Sequence, residues 1–423
     1  MMNSNIGQSP VKVDALGKVL GISKYPGDYY REGMIYGKTL RTKYVHANVI
    51  HIDTGKAEKV PGVKILTGKD VPGHNGHGVL HQHQPVLADK RVKYIGDAVA
   101  IAGGPDLDLL EEALALIKVE YEELPVVVDP ERAMEPAAIK IHEEGNIAYH
   151  LKIRKGDVDH GFQVADEIIE NTYQVQMVDH AFLQPEAALA EIDDRGHLVI
   201  YVATQYAHWD RVEIANALNM GINKIRVVTT AVGGAFGGRE DMTLQIHACL
   251  LALKCHKPVK MIYERAESFL AHAKRHPMKM KYRTGATKDG KLVAVEATII
   301  GDTGAYASWA PNILRKAGVH AVGPYEVSNV KVDSYAVYTN NPFAGAMRGF
   351  GAAQPPMAHE GQMDILARKL MIDPVEFRLK NALKVGSVTA TGQVLESSVG
   401  LVKTIQEAAK YFPDRFKQLG EVE

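Results

Sequence analysis

The chain has 423 residues, 46% hydrophobic and 23% charged, which is material for two or three packed domains. Its 49 basic and 50 acidic side chains leave a formal net charge of −1 with no long run of one sign, which argues against nucleic acid or an anionic membrane surface as a partner. Two cysteines, Cys249 and Cys255, are too few for a disulfide framework or a four-thiolate cluster, and their apolar setting reads as core thiols in a reducing compartment.

The opening MMNSNIGQSPVKVD lacks the apolar core of a signal peptide. No window reaches the roughly 18 uninterrupted apolar residues of a membrane span, so a soluble, cytoplasmic protein is expected. After a polar tail at 1–12, short β-like runs at Val63–Leu66 and Val92–Ala102 alternate with turns. Asp106–Leu116 has helical spacing and the following IKVEYEEL reads as a strand, which predicts a β-α-β unit. Three prolines and several acids mark Pro125–Asn146 as a connection between domains.

Farther on, LVIYVATQ reads as a strand, Trp209–Leu218 as a helix, and KIRVVTTAV as a strand running into GGAFGG. A helix over Asp241–Lys254 and a strand at VKMIYER follow. MKMKYRTGATKDGKLVAVEATII predicts a hairpin turning at Lys288-Asp289-Gly290. Helices are expected at Pro355–Leu370, at Pro374–Leu383 and in the closing VGLVKTIQEAAKYFPDRFKQL. The division that results is a tail at 1–12, a domain at 13–125, a linker at 126–155 and a second domain at 156–423.

The segment with most chemical content is AVGGAFGGRED, residues 231–241, between a strand and a helix. Four glycines around Phe236 allow close backbone approach to a bulky ligand, and a following helix start favours an anion. Gly233 and Gly238 have Walker A spacing, but Arg239 and Glu240 stand where lysine and a hydroxyl residue belong, which argues against a nucleotide triphosphatase. A dinucleotide fingerprint fails because Ala235 falls on its second glycine. A second glycine-rich turn, NPFAGAMRGFG, carries Arg348 and Phe350. Gln205 ends the strand LVIYVATQ, where a capped surface residue is the simplest reading. His74, His77, His81 and His83 are of a zinc-ligand type but lack a ligand spacing, and a polar loop accounts for them as well.

Taken together and in order, nine segments resemble the xanthine dehydrogenase and aldehyde oxidase family of molybdenum hydroxylases: VKVDALGKVLGISKYPGDY, PGVKILTGKDVPG, YIGDAVAIA, ATQ, GGAFGGRED, KRHPMKM, GDTGAYA, MRGFGAAQ and TGQVLESSVGL. The resemblance implies an α+β chain: an α/β hammerhead domain, then the first half of the molybdopterin-binding region. It implies that Gln205 hydrogen-bonds an oxo ligand of molybdenum, that Gly233, Gly234, Ala235, Phe236, Gly237 and Gly238 pack against the cofactor, and that Arg348 lies beside the pterin. Glu240 matches an acid that grips a ring nitrogen in purine-oxidising members, and Phe350 an aromatic that stacks on a flat substrate. The resemblance implies no direct side-chain ligand to molybdenum, the metal being held in the family by the cofactor's dithiolene. The substrate-polarising arginine of the purine enzymes aligns with Lys316, with Arg315 one residue away, and which of the two faces substrate stays open.

The family's second half, with its glutamate base, has no counterpart before Glu423, and neither iron–sulfur nor flavin domains are recognisable. A split arrangement is favoured over a fragment, of the kind found in nicotinate dehydrogenases of anaerobic bacteria. The implied cofactor is molybdenum with molybdopterin cytosine dinucleotide. The implied partners are a second molybdopterin subunit carrying the glutamate, a [2Fe–2S] subunit and an FAD subunit. The expected reaction adds water-derived oxygen to an N-heteroaromatic ring carbon, a purine such as xanthine being favoured, nicotinate the alternative, and a non-catalytic cofactor-binding scaffold a third reading.

Overall fold

A computed structural model describes residues 7–411. Fifteen strands are present among them: β1 (Ile35–Arg41), β2 (Ala47–Asp53), β3 (Lys64–Thr67), β4 (Arg91–Val92), β5 (Ala98–Gly104), β6 (Lys118–Glu123), β7 (Ile147–Lys155), β8 (Glu167–Val175), β9 (Ala187–Ile192), β10 (Leu198–Val202), β11 (Ile225–Thr229), β12 (Val259–Ile262), β13 (Met278–Ala286), β14 (Leu292–Gly304) and β15 (Asn329–Tyr338). Helices and sheets mix throughout, in an α+β chain, and no described helix is long and apolar enough to cross a membrane.

Two compact units form, and neither is continuous in sequence. The first joins the residues up to Glu123 with Ala181–His272, and the second joins Leu124–His180 with the residues from Ala273 onward. In the first unit a seven-stranded mixed sheet runs β11-β10-β9-β12-β1-β5-β3, beside a three-stranded antiparallel sheet β4-β2-β6. β1 pairs in parallel with β12 and antiparallel with β5, so the N-terminal strands are built into the sheet that carries β10 and β11.

The β-α-β unit expected around Asp106–Leu116 does not form. The helix Leu107–Leu116 is there, capped by the Asp106 side chain, but β5 lies in the seven-stranded sheet and β6 in the three-stranded one. The burial patterns explain the separation. β5 (AVAIAGG) is buried at every position, whereas β6 (KVEYEE) puts charges on alternate residues and suits only a one-faced antiparallel ribbon.

The core of the first unit closes around the helix Gln245–Cys255, whose residues from Gln245 to Ala252 are all buried. Leu250 and Leu251 pack with Ile200 of β10, Ile214 and Leu218 of the helix Ala207–Leu218, and Val259 and Met261 of β12. Each such side chain contributes roughly 1.5–3 kcal/mol on burial. That helix begins at Gln245, not at Asp241: residues 241–244 are spent on the turn out of the glycine loop. VKMIYER is likewise divided, into β12 and the helix Arg265–Ala271.

In the second unit a five-stranded sheet runs β7-β15-β14-β13-β8. The expected hairpin is β13–β14, antiparallel, with Gly290 at φ +86° in its turn. Helices Pro356–Lys369 and Pro374–Asn381 stand where the sequence places them, and Ala310–Val319 adds one that no sequence pattern marked. Ile313, Leu314 and Ala317 of that helix are buried with Ile299 and Val332 of the sheet. The connection from Pro125 contains a short helix, Pro130–Ala133, capped by Asp129. Of the closing helix, Leu401–Ala409 is seen, and its continuation beyond residue 411 lies outside the described residues.

Candidate functional site

β10 delivers Ala203, Thr204 and Gln205 to the glycine loop, and the contact is made by backbone and side chain together. The Gln205 N–H donates to the Arg239 carbonyl at 3.0 Å. Its side-chain oxygen accepts from the N–H groups of Gly237 at 3.0 Å and Arg239 at 3.3 Å. Those two backbone donors fix which end of the amide is oxygen. The exposed amide nitrogen makes no hydrogen bond among the described residues and is left to donate outward.

Phe236, at the tip of the loop, has φ +53° and is 48% exposed. A phenylalanine in the left-handed region costs about 1–2 kcal/mol, a strain the surrounding contacts must over-determine. Gly234 has φ +109°, and a Cβ there would stand 2.7 Å from the Phe182 Cβ, so only glycine fits. The N–H groups of Gly234, Ala235 and Phe236 make no hydrogen bond among the described residues. The tip thus keeps three backbone donors unpaired among the described residues, in the loop that the Gln205 side chain anchors.

Arg239 clamps the loop from behind. It is buried, its Nε donates to the Gly234 carbonyl at 2.8 Å, and its Nη2 donates to the Gln184 carbonyl at 2.5 Å. Its guanidinium lies 4.2 Å from the centre of the Phe182 ring. The Gln184 side chain completes the clamp by accepting from the Gly233 N–H at 2.8 Å. Burial pulls the Arg239 guanidinium down to about 10, with the Glu186 carboxylate acting against that shift. Glu186, Arg239, Asp241 and Gln245 line a cavity of about 10 Å³, the size of one water molecule. Sequence reasoning missed Arg239 and Gln184, whose only signal was an arginine where a phosphate loop would carry lysine.

Glu240 and Tyr206 stand one residue beyond the paired Arg239 and Gln205. Glu240 is half-buried and Tyr206 is 41% exposed. Deeper in this unit, burial pushes Asp210 up to about 7 and Glu213 up to about 8.

In the second unit the other glycine turn holds Arg348 and Phe350. Arg348 is exposed, and its carbonyl accepts from Arg275 Nη2 at 2.8 Å. Phe350 has φ +49°, sits edge-on to Trp309 with ring centres 5.8 Å apart, and has Lys316 Nζ 5.8 Å from its ring centre. Arg315 is also exposed on the same helix, but it is Lys316 that lies over the Phe350 ring. Gly351 has φ +95°, and a Cβ there would lie 2.1 Å from the Ile313 carbonyl oxygen. The predicted residues therefore fall into two groups, Gln205, Gly233–Gly238 and Glu240 in the first unit, Arg315, Lys316, Arg348 and Phe350 in the second.

The histidines of 74–83 are drawn into their own loop. His74 Nε2 bonds the Gln82 carbonyl, His77 is buried, and His77 and Gln84 pair through their backbones. Among the described residues no group of three or more His, Cys, Asp or Glu side chains is arranged to hold a metal ion. Burial pushes the Cys249 thiol upward, which suits a core residue.

Comparison with known proteins joins these features. The family model of the molybdopterin cofactor-binding domain matches residues 141–382, and that of the aldehyde oxidase and xanthine dehydrogenase a/b hammerhead domain matches residues 20–125. The nicotinate dehydrogenase large molybdopterin subunit of Eubacterium barkeri is 44% identical over 95% of this chain and 95% of its own length. The xanthine dehydrogenase molybdenum-binding subunit of Escherichia coli O157:H7 is 34% identical over 95% of this chain, but only 55% of its own length is covered. Among solved structures, the aldehyde oxidoreductase of Desulfovibrio gigas superposes with a TM-score of 0.90 at 29% identity, covering 96% of this chain and 46% of that one. The chain thus spans nearly all of the first of these proteins and about half of the other two.

Proposed function

Because the chain belongs to the xanthine dehydrogenase and aldehyde oxidase family of molybdopterin-binding proteins, we propose that it is the larger molybdopterin-binding subunit of a hydroxylase that adds water-derived oxygen to a ring carbon of an N-heteroaromatic substrate. The observation that carries this reading is the donor set of the first unit: the outward amide nitrogen of Gln205 and the N–H groups of Gly234, Ala235 and Phe236 in the loop it anchors. Such a set suits oxo and anionic groups and would be wasted against an apolar ligand.

When bound, the molybdenum cofactor supplies the two-electron oxidising power and the place where water is activated, while the protein supplies orientation and electrostatics. Gln205 donates to an oxygen of the metal's ligand set without itself titrating. Phe236 and the glycines from Gly233 to Gly238 pack against the cofactor, and Arg348 lies beside the pterin. Glu240 accepts from a substrate ring N–H, and Phe350 stacks on the ring. Lys316, placed over Phe350, carries the polarising charge in preference to Arg315.

The cofactor is assigned as the molybdopterin cytosine dinucleotide form. A second molybdopterin subunit brings the glutamate base, and [2Fe–2S] and FAD subunits take the electrons. The same reading takes 13–125 as the hammerhead domain, 126–155 as the linker and 156–423 as the first half of the cofactor-binding region, in a cytoplasmic complex.

A purine is the favoured substrate, since Glu240 offers an acceptor to a ring N–H. Nicotinate is the second reading, supported by the similarity over 95% of both chains and by Lys316, which would pair with a carboxylate. The test is to isolate the native complex, assay molybdenum, iron and flavin, and measure turnover of xanthine, hypoxanthine and nicotinate. Molybdenum with purine oxidation is the expected result. Nicotinate oxidation alone moves the substrate to the second reading. A metal-free chain that purifies alone means a fragment or scaffold.

A further inference from the structure

Glu186 stands just ahead of β9 and is 3% exposed, yet neither of its carboxylate oxygens has a hydrogen-bond partner among the described residues. A carboxylate taken out of water without a donor is costly, so those oxygens have to be met by one. The backbone of Glu186 is fixed, since its carbonyl accepts from the Tyr263 N–H at 2.9 Å and so extends the pairing of β9 with β12. Its side chain lines the cavity of about 10 Å³ described above, and so does Arg239. Arg239 commits Nε to the Gly234 carbonyl and Nη2 to the Gln184 carbonyl, two residues before Glu186, while its Nη1 makes no hydrogen bond among the described residues. An acceptor without a donor and a donor without an acceptor thus belong to two residues that border one space, and that space fits a single water.

We propose that this cavity is a water site through which Glu186 holds the Arg239 guanidinium, so that Glu186 is a positioning residue of the glycine loop. The water accepts from Arg239 Nη1 and donates to a Glu186 oxygen, which gives each buried group the partner it lacks. The charge of Glu186 acts on Arg239 as a near neighbour's would, favouring the guanidinium against burial and against Arg265. Arg239 in turn holds the carbonyls of Gly234 and Gln184. A disturbance at Glu186 is therefore felt first where Gln184 meets the loop, at the Gly233 N–H that donates to Gln184 Oε1 at 2.8 Å and the Gln184 N–H that donates to the Gly233 carbonyl at 3.3 Å. The bearing of Glu186 on turnover rests on the reading of this loop as one that packs against the cofactor.

The native complex supplies both tests. Its crystal structure is expected to show one ordered water within hydrogen-bond distance of Glu186 and Arg239 together, and this decides the water site whether or not any variant assembles. A direct Glu186–Arg239 contact, or no ordered water between them, overturns it. Glu186→Gln keeps the shape and removes the charge. Amide exchange at Gly233 and Gln184 is expected to quicken about tenfold, the worth of a hydrogen bond to a charged group, while the buried helix Gln245–Cys255 exchanges as in wild type. Glu186→Asp, which keeps the charge, is expected to stay within about threefold of wild type. In an Arg239→Lys background, Glu186→Gln is expected to add less than about twofold, because its effect passes through the guanidinium. An equal quickening in that background, or one that spreads to the buried helix, overturns the positioning role. The expected exchange pattern with unaltered turnover would keep the role and overturn instead the reading of the loop as the cofactor's.

Discussion

Gln205 accepts a hydrogen bond from the Gly237 backbone N–H at 3.0 Å through its side-chain oxygen, one of two contacts that orient the amide. With a second bond from the Arg239 N–H, the oxygen is committed to the loop and the nitrogen to what lies outside it. One side chain thus both holds the loop and offers the donor.

Those two tasks are separable by mutation. Gln205→Glu keeps an acceptor for Gly237 and Arg239 but removes the N–H donor and adds a charge. It is expected to leave hydrogen-exchange protection of the Gly237 and Arg239 amides intact while activity falls by about a hundredfold or more, as for loss of a charge-stabilising donor. Gln205→Ala is expected to lose both, each abandoned backbone bond being worth about 1 kcal/mol. Equal exchange protection in Ala, Glu and wild type would refute the anchoring role.

Arg239→Lys conserves charge and removes the fork. The carbonyls of Gly234 and Gln184 cannot both be reached by an ammonium in that setting, and the stacking on Phe182 is lost. Leaving a buried carbonyl unpaired costs about 1–3 kcal/mol. A lower melting temperature together with reduced molybdenum content of the purified complex is the expected outcome, and an unchanged melt would show that the clamp is dispensable.

Lys316 and Arg315 are adjacent but not equivalent. Lys316→Ala is expected to lower kcat/KM by about tenfold or more, through loss of a cation over Phe350, while Arg315→Ala stays within about threefold. The reverse order would move the polarising role to Arg315.

Asp210 and Glu213, raised to about 7 and about 8 by burial, bind their protons more tightly in the folded chain than in the unfolded one. Stability from such groups is complete below the ordinary carboxylate range and is lost as pH climbs through the raised values. The melting temperature is therefore expected to fall between about pH 5 and about pH 8.5, and the double variant Asp210→Asn, Glu213→Gln to flatten that slope. A wild-type melting temperature that rises over this range contradicts the assignment.

Gly351→Ala puts a methyl group 2.1 Å from the Ile313 carbonyl oxygen at φ +95°. A loss of stability above about 3 kcal/mol is expected, since neither clash nor dihedral can relax cheaply. Near-wild-type unfolding in denaturant would show that the turn can move.

What was legible in the sequence is local. The β13–β14 hairpin and the helix Pro356–Lys369 follow from alternation and turn residues within a few positions of one another. The β-α-β expectation failed because pairing partners are not encoded nearby: β5 joins β1, and β6 joins β2. The glycine loop announced itself by composition. Its clamp did not, because Arg239 acts through carbonyls of Gly234 and Gln184, and a backbone acceptor leaves no mark on residue type. Lys316 over Phe350 needed the helix Ala310–Val319, whose buried Ile313, Leu314 and Ala317 fix which neighbours turn outward.

The parallel pairing of β1 with β12 has a consequence for how the chain is made. Ile35 meets Val259, more than two hundred positions later in the sequence. A ribosome that releases the N-terminal strands first leaves β1 with β5 on one edge and an open edge on the other until β12 emerges. Closure over so long a loop is slow, and the waiting edge is a template for wrong partners. A chain cut after Glu123 keeps that edge open and is expected to self-associate, which its elution volume in gel filtration checks.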